Sequence, residues 1–178
     1  MNQNDSLFHE LDDRMSVVKR WGIVRTIKQQ SVAEHCFNVQ RIAIKLAGLV
    51  GVLEYERLFE ISQAALHHDD DEAVTGDIPS PAKMYVHTEK WVDVQARAWY
   101  DDASPETKAI VKLADLLEAY HFLALEIRMG NMYVTNHQMG LKTRIMELLN
   151  ADWCEKIKHV VVYWMGRTDL EVGRVVHE

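Results

Sequence analysis

The sequence predicts an all-α fold, a compact helical bundle, from three observations. Apolar residues recur at intervals of three and four over long stretches, as on one face of an amphipathic helix. Only 3 prolines occur in 178 residues, so few positions would interrupt a helix. Strand-type alternation is confined to one short candidate strand, "YVHT" at residues 85–88.

The first predicted helix begins after Ser31, in the segment "SVAEH". Ser31 can cap this helix, and Glu34, three residues later, can reach back to complete a capping box. The apolar stripe that follows consists of Val32, Cys36, Val39, Ala43, Leu46 and Val50. These signals together predict a helix from Val32 through Val50.

Four more helices are predicted downstream. The second has one face formed by Leu58, Ile61, Ala65 and His68. The third has Ser104 as its cap and Pro105 in its first turn, and it ends near Gly130. Because it is apolar around most of its circumference, we expect it to be central and largely buried. The last two are expected at about residues 139–150 and 152–166.

Composition and charge narrow the class of protein. With 178 residues, 48% of them hydrophobic and 26% charged, the chain is expected to form one globular domain over residues 1–178. A formal net charge of −7 disfavours a general nucleic-acid partner, and no apolar run is long enough to span a membrane. The polar N-terminus and the two cysteines without a CxxC spacing favour a cytoplasmic protein with reduced thiols.

Metal-capable side chains fall on three of the predicted helices. His35 lies in the first turn of one helix, the pair His68-Asp69 closes the next, and Asp115 lies within "VKLADLLEA". A mixed set of nitrogen and oxygen donors suits a catalytic divalent ion such as Zn, Mn, Co or Mg. Each of these residues could instead have a purely structural role. Asp115, for example, could form a surface ion pair with Lys112, three residues earlier.

The order of these segments resembles the HD-domain phosphohydrolases. "VAEH", "HHDDDE", "GDIPSPAK" and "KLADLLEA" follow one another between Arg20 and Asn131. The resemblance implies that a metal ion is held by a histidine, an adjacent His-Asp pair and a distant aspartate. In this sequence those residues are His35, His68, Asp69 and Asp115.

The segment "KRWGIVRTIKQQSVAEH" resembles the small HD enzymes that act on deoxynucleotides. Two branches remain open: the bacterial 5'-deoxynucleotidases and the phage dATP triphosphohydrolases. The compact chain and the short connector between Lys83 and Asp115 favour the phage branch, as does Ile23, a branched apolar residue that could test a base edge. In that branch the enzyme would act in the host cytoplasm.

The resemblance also implies roles for other residues of the site. Glu72 is expected to position or deprotonate the attacking water, or to protonate the leaving 5'-oxygen. Trp21 would stack on the base, and Asp77 would accept a hydrogen bond from the sugar 3'-hydroxyl. The phosphate charge would be neutralised by Arg20, Lys83 and Lys112. Without the resemblance, Trp21 could equally be a core residue and Asp77 a turn residue.

Two readings from other classes stay open. The chain could be an HD domain that binds a nucleotide without catalysis, or a helical interaction module whose acidic run is only a charged surface. The enzyme reading implies a small-molecule deoxynucleotide as substrate. A homo-oligomer is also expected, and the apolar segment "KIKHVVVYWMG" could serve as its interface or could pack in the core.

Overall fold

The structure, a computed structural model, describes residues 13–79, 82, 85 and 98–176. Across these residues it contains helices and turns, with one isolated antiparallel bridge between Lys19 and Ser31 and no sheet. The all-α prediction is therefore confirmed. Residues 13–17 are helical. The helices with both ends in the described residues are, in chain order, α1 Val32–Val50, α2 Tyr55–Leu66, α3 Glu72–Thr75, α4 Ala98–Asp101, α5 Pro105–Arg128, α6 Thr135–Leu148 and α7 Glu155–Val176, with 3₁₀ turns at Met132–Val134 and Asp152–Cys154.

Helix α1 begins and ends with the local signals that its sequence carries. The Ser31 side chain accepts a hydrogen bond from the Glu34 amide, and the Glu34 carboxylate accepts one from the Ser31 amide at 2.8 Å. At the other end Gly51 adopts a left-handed conformation with φ 94°, which glycine reaches without steric cost. The capping box predicted from the sequence is confirmed.

Helix α2 ends at Leu66, so His68 lies in the turn after it rather than on its face. The predicted helix is two residues too long. Nδ1 of His68 donates to the carbonyl of Ala65 at 2.8 Å, the carbonyl that a continuing helix would pair with the amide of Asp69. The side chain thus competes with the helix for this acceptor, yet it remains buried.

Helix α5 is the centre of the molecule. Ser104 caps it by accepting from the Thr107 amide, and Gly130 follows its end with φ 94°. It packs against α1, α2, α6 and α7. Its largest fully buried side chains are Leu113 and Tyr120, which join the main core, and Leu123, which joins a second cluster with Phe122. The expectation of a central, buried helix is confirmed.

Helices α6 and α7 depart from their predicted ranges. α6 begins at Thr135, four residues before the predicted start, because its first turn is polar and has no apolar periodicity to mark it. α7 begins at Glu155 and continues through Val176. The candidate strand at residues 85–88 lies outside the described residues apart from Tyr85, which is in a turn.

The loop before α1 is tied down by a buried carboxylate of α5. Glu126 is fully buried and accepts hydrogen bonds from the amides of Ile27 at 2.6 Å and Lys28 at 2.7 Å. The amide of Arg20 donates to the carbonyl of Gln30 at 2.9 Å. These contacts hold residues 20–30 across α5. The two cysteines are separate, buried thiols, and none of the described helices is long and apolar enough to cross a membrane.

Candidate active site

Two buried histidines face each other at the centre of the site. Nε2 of His35, from α1, lies 3.3 Å from Nε2 of His68, from the turn after α2. Nδ1 of His35 lies 2.7 Å from the Glu118 carboxylate, and Nδ1 of His68 donates to the Ala65 carbonyl. With Nδ1 of each ring acting as a donor, the neutral form of either imidazole has the lone pair of Nε2 directed into the cluster.

Two carboxylates complete this cluster. Oδ2 of Asp69 lies 3.7 Å from Nε2 of His35 and 3.4 Å from Nε2 of His68, and Oδ1 of Asp115 lies 3.4 Å from Nε2 of His35. Four atoms that can donate a lone pair to a metal ion thus converge from three parts of the chain. Donor atoms of His35, His68 and Asp115 all lie within 4.8 Å of one another. Lone pairs crowded in this way repel unless a cation sits between them, and this donor set fits a divalent ion.

The electrostatics of the cluster also favour a bound cation. Burial raises the pKa of Asp69, but the charges of His68 and Arg20 outweigh it and lower the pKa to about 2. Burial likewise raises the pKa of Asp115, but the hydrogen bond with His35 and the charge of Lys112 hold that pKa well below its usual range. Both carboxylates therefore stay ionised near neutral pH.

Glu118 is a functional residue that the sequence reasoning missed. Its Oε2 holds Nδ1 of His35, while its Oε1 accepts from Gln30 at 2.6 Å and from Asn38 at 3.3 Å. Burial raises the pKa of Glu118, but the hydrogen bond from His35 and the positive charge of that ring lower this pKa overall. A carboxylate behind a ligating imidazole fixes its tautomer and orientation. Its position three residues after Asp115, on the same helix face, was the available signal.

Arg20 and Glu72 flank the four-residue cluster. Nη1 of Arg20 donates to Oδ2 of Asp69 at 3.1 Å, while its Nε is buried and has no hydrogen-bond partner among the described residues. Burial lowers the pKa of Arg20, but Asp69 and Asp115 outweigh this and raise it. Glu72 begins α3, and only 2% of it is exposed.

A cavity of about 590 Å³ opens in front of the cluster. His68, Asp69 and Asp115 lie on its wall, and so do Arg20 and Glu72. The volume is in the range typical of small-molecule sites. Six of the residues expected from the sequence to act on substrate reach this one cavity: Arg20, Trp21, Ile23, Glu72, Asp77 and Lys112. The seventh, Lys83, lies outside the described residues.

The structure gives Trp21 and Asp77 neighbours within the protein. The Trp21 ring stacks on Phe122 with centroids 5.6 Å apart and an interplanar angle of 8°. Trp21 has a left-handed backbone with φ 67°, which costs about 1–2 kcal/mol in a residue with a β-carbon. Oδ2 of Asp77 accepts a hydrogen bond from the Trp21 amide at 2.7 Å and so holds the Trp21 backbone in that conformation. One ring face and one carboxylate oxygen are therefore already engaged.

Lys112 and Ile23 occupy the rim of the cavity. Nζ of Lys112 lies 2.7 Å from Oδ2 of Asp115, so the ion pair considered from the sequence exists beside the cluster. Its side chain is 44% exposed. Ile23 is 73% exposed and has little protein around it. Both side chains are placed to meet a ligand that enters from solvent.

The remaining wall was not anticipated from the sequence. One face of α6 also lines the cavity, through Asn136, His137, Gly140, Leu141 and Arg144. Of these five residues, only Leu141 has a large apolar side chain. A polar helix face of this kind has no hydrophobic period that would single it out.

The donors follow the order that defines the HD-domain phosphohydrolases: a histidine from α1, a His-Asp pair after α2 and an aspartate from α5. Comparison with known proteins confirms this class. The sequence matches the 5'-deoxynucleotidase YfbR-like family over residues 7–92. The chain belongs to that family, because it also has close relatives over most of its length, and it is a hydrolase of the HD class.

Two characterised branches of the class are represented among its relatives. A dATP triphosphohydrolase of Acinetobacter phage SH-Ab 15497 is 37% identical in a match that covers 75% of each chain. The 5'-deoxynucleotidase YfbR of Salmonella typhi is 31% identical in a match that covers 91% of this chain and 92% of the relative.

Solved structures share the fold. The cyanophage S-2L HD phosphohydrolase DatZ, bound to dA and one catalytic Zn²⁺ ion, superimposes with a TM-score of 0.68 at 23% identity, covering 90% of this chain and 94% of that one. A conserved protein from Pyrococcus furiosus gives a TM-score of 0.70 at 21% identity, covering 93% and 99%.

Proposed function

We propose that this protein hydrolyses deoxynucleotides at the 5' α-phosphate, and that its substrate is dATP, which it converts to deoxyadenosine and triphosphate. The observation that carries the proposal is the convergence of four possible metal-ligating atoms, from His35, His68, Asp69 and Asp115. The last three of these residues line a cavity whose wall also includes Arg20 and Glu72. A nucleotide-binding module without catalysis would need neither the buried donor cluster nor an acidic residue beside it.

His35, His68, Asp69 and Asp115 would hold the divalent ion. When bound, such an ion polarises a phosphoryl oxygen and lowers the pKa of water next to it. Glu118 keeps the His35 ring in the orientation that presents Nε2, and the Ala65 carbonyl does the same for His68. The protein therefore supplies a rigid, pre-oriented donor set.

Glu72 and Arg20 would act on the reacting groups. Glu72, which lines the cavity, would take a proton from the attacking water or give one to the leaving 5'-oxygen. Water attacks the α-phosphorus, the bond to the 5'-oxygen breaks, and that oxygen leaves with a proton as deoxyadenosine. Arg20 and Lys112 would neutralise charge that develops on the phosphate, and Lys83 is proposed to assist them.

The base and sugar would occupy the side of the cavity near the loop before α1. Trp21 has one ring face on Phe122, and the base would stack on its other face. The Arg20 guanidinium lies 5.9 Å from the centroid of the same ring. Ile23 would contact the base edge. Asp77 keeps one carboxylate oxygen for the sugar 3'-hydroxyl, since the other holds the Trp21 amide.

The second candidate is a 5'-deoxynucleotidase that releases phosphate from deoxynucleoside monophosphates. The match to YfbR of Salmonella typhi favours it, because that match covers 91% of this chain. The greater identity to the phage dATP triphosphohydrolase, 37%, favours dATP. The two reactions share every step at the α-phosphate and differ only in what is attached to it.

One experiment separates these functions. The purified protein is loaded with Zn, Co, Mn or Mg and incubated with the four deoxynucleoside monophosphates, with dADP and with dATP, and the products are identified by chromatography. Triphosphate from dATP supports the proposal, whereas phosphate from several monophosphates supports the nucleotidase. A protein that binds no divalent ion and hydrolyses none of these substrates would contradict both.

We further propose that residues 1–178 act as one domain in the cytoplasm and assemble as a homo-oligomer. α7 buries Ile157, Val161 and Met165 in the core, while Val162 and Tyr163 remain 40% and 67% exposed. This exposed face of α7 would be the interface. Light scattering of the purified protein and of Tyr163→Glu tests it, since the charge should dissociate the assembly.

A further inference from the structure

The α6 face of the cavity has the features of a ligand-binding wall. Asn136, His137, Gly140, Leu141 and Arg144 follow the spacing of one helix face and all line the cavity. Leu141 packs on the same apolar cluster, centred on Phe122, as Trp21. This contact fixes the α6 face beside the loop that carries Arg20 and Trp21.

The cations that line the cavity differ in what they already contact. Arg20 is bonded to Asp69 and Lys112 to Asp115. Arg144, also on the cavity wall, has no carboxylate within 4.0 Å among the described residues and is exposed. Its guanidinium is therefore available for a bidentate contact with a phosphate.

Gly140 leaves the α6 backbone open at the same place. A β-carbon built on it meets no atom of the described residues within 4 Å, so packing does not require glycine here. Glycine is a poor helix former. Its position one turn before Arg144 gives a ligand room to approach the helix closely.

We propose that this α6 face binds the distal phosphates of a nucleoside triphosphate and that Arg144 distinguishes triphosphates from monophosphates, an inference that rests on the proposed function. The α-phosphate lies at the donor cluster, where Arg20 and Lys112 are already shared with Asp69 and Asp115. The two additional phosphates of a triphosphate bring more negative charge, and Arg144 is the described cation on the cavity wall that can meet it without breaking an ion pair.

The test compares two substrates in three variants. Arg144→Gln should lower kcat/KM for dATP by about 10-fold or more, as expected from the loss of a charge-assisted phosphate contact, and change kcat/KM for dAMP less than twofold. Arg144→Lys should recover part of the loss. Lys142→Gln is the matched control, because it removes the same charge from α6 at a residue that bonds Asp169 instead.

A binding measurement tests the inference independently of turnover. Calorimetry with inorganic tripolyphosphate and with orthophosphate should show that Arg144→Gln weakens tripolyphosphate binding about 10-fold while orthophosphate binding is unchanged. If wild type and Arg144→Gln bind tripolyphosphate equally, the inference is overturned.

The outcomes separate this inference from the proposed function. If the wild-type protein with metal hydrolyses no deoxynucleotide, the proposed function fails, and tripolyphosphate binding still decides the role of Arg144. If the wild type cleaves dATP but Arg144→Gln loses both substrates equally, or if Lys142→Gln matches it, the inference alone fails. A wild type that takes dAMP and refuses dATP also overturns it.

Discussion

The two sides of the cavity are built differently. On one side, the side chains of His35, His68 and Glu118 are buried and bonded to each other or to backbone groups. On the other side, Arg144 and His137 of α6 are exposed and make no ion pair within the described residues. The metal-ligand cluster is thus assembled by folding, whereas under our proposal the α6 wall would gain polar partners only when a ligand binds.

This difference predicts how each side responds to mutation. Removing a partner from a buried polar network leaves the remaining groups unsatisfied and costs stability as well as function. Changing an exposed side chain leaves the fold intact. Variants of the cluster should therefore alter metal binding and stability, whereas removal of the exposed Arg144 side chain from α6 should alter substrate use alone.

The largest effect is expected at the donor cluster. His68→Ala and Asp115→Ala should each abolish hydrolysis and metal binding while the helical circular dichroism is retained, because each removes a donor atom. The adjacent His67 provides a matched control: its Nδ1 pairs with Asp70 outside the cluster, so His67→Ala should keep the metal. Unchanged turnover in His68→Ala or Asp115→Ala would refute the ligand assignment.

A smaller effect is expected from the residue behind His35. Glu118→Gln replaces the carboxylate that orients this imidazole, so metal affinity should fall roughly 10–100-fold. Competition with a chelator measures the affinity, and excess metal should restore activity. Glu147→Gln changes an exposed residue of α6 and serves as the control. Equal metal affinity in Glu118→Gln and wild type would show that the carboxylate does not act through His35.

The loop that carries Arg20 and Trp21 should depend on Glu126. Glu126→Gln keeps one acceptor but turns an amide group toward the amides of Ile27 or Lys28. We expect the free energy of unfolding to fall by about 1–3 kcal/mol, together with a rise in KM. Chemical denaturation measures the first and steady-state kinetics the second. A variant with lower stability and an unchanged KM would show that the loop does not position the substrate.

The smallest effect separates stability from function on α6. Gly140→Ala should raise the free energy of unfolding by about 0.5–1 kcal/mol, since alanine favours the helix, while its methyl group lowers activity. Gly48→Ala in α1 is the control, because a β-carbon there also meets no atom within 4 Å and Gly48 does not line the cavity. The Gly48→Ala variant should gain stability with no change in turnover. Full activity in Gly140→Ala would place the substrate elsewhere.

Prediction from sequence succeeded where one segment carries its own signal. The capping box at Ser31 and Glu34 and the Ser104-Pro105 start of α5 are local and were read correctly. The end of α2 was misplaced because a side chain of the following turn, His68, takes the Ala65 carbonyl. The polar start of α6 has no periodicity, so neither its first turn nor the cavity-facing Arg144 could be recognised.

The sequence by itself determined the existence of the five long helices, the N-terminal caps of α1 and α5 and the types of metal-ligating side chain, because these depend on neighbouring residues. Only the tertiary structure decided that Glu118 supports His35 rather than joining the cluster, that Asp77 holds the Trp21 backbone, and that Arg144 is uncommitted. The first two contacts join residues 83 and 56 positions apart. Whether a charge is paired or available depends on which distant side chains folding brings within a few ångströms of it, and spacing along the chain carries no such information.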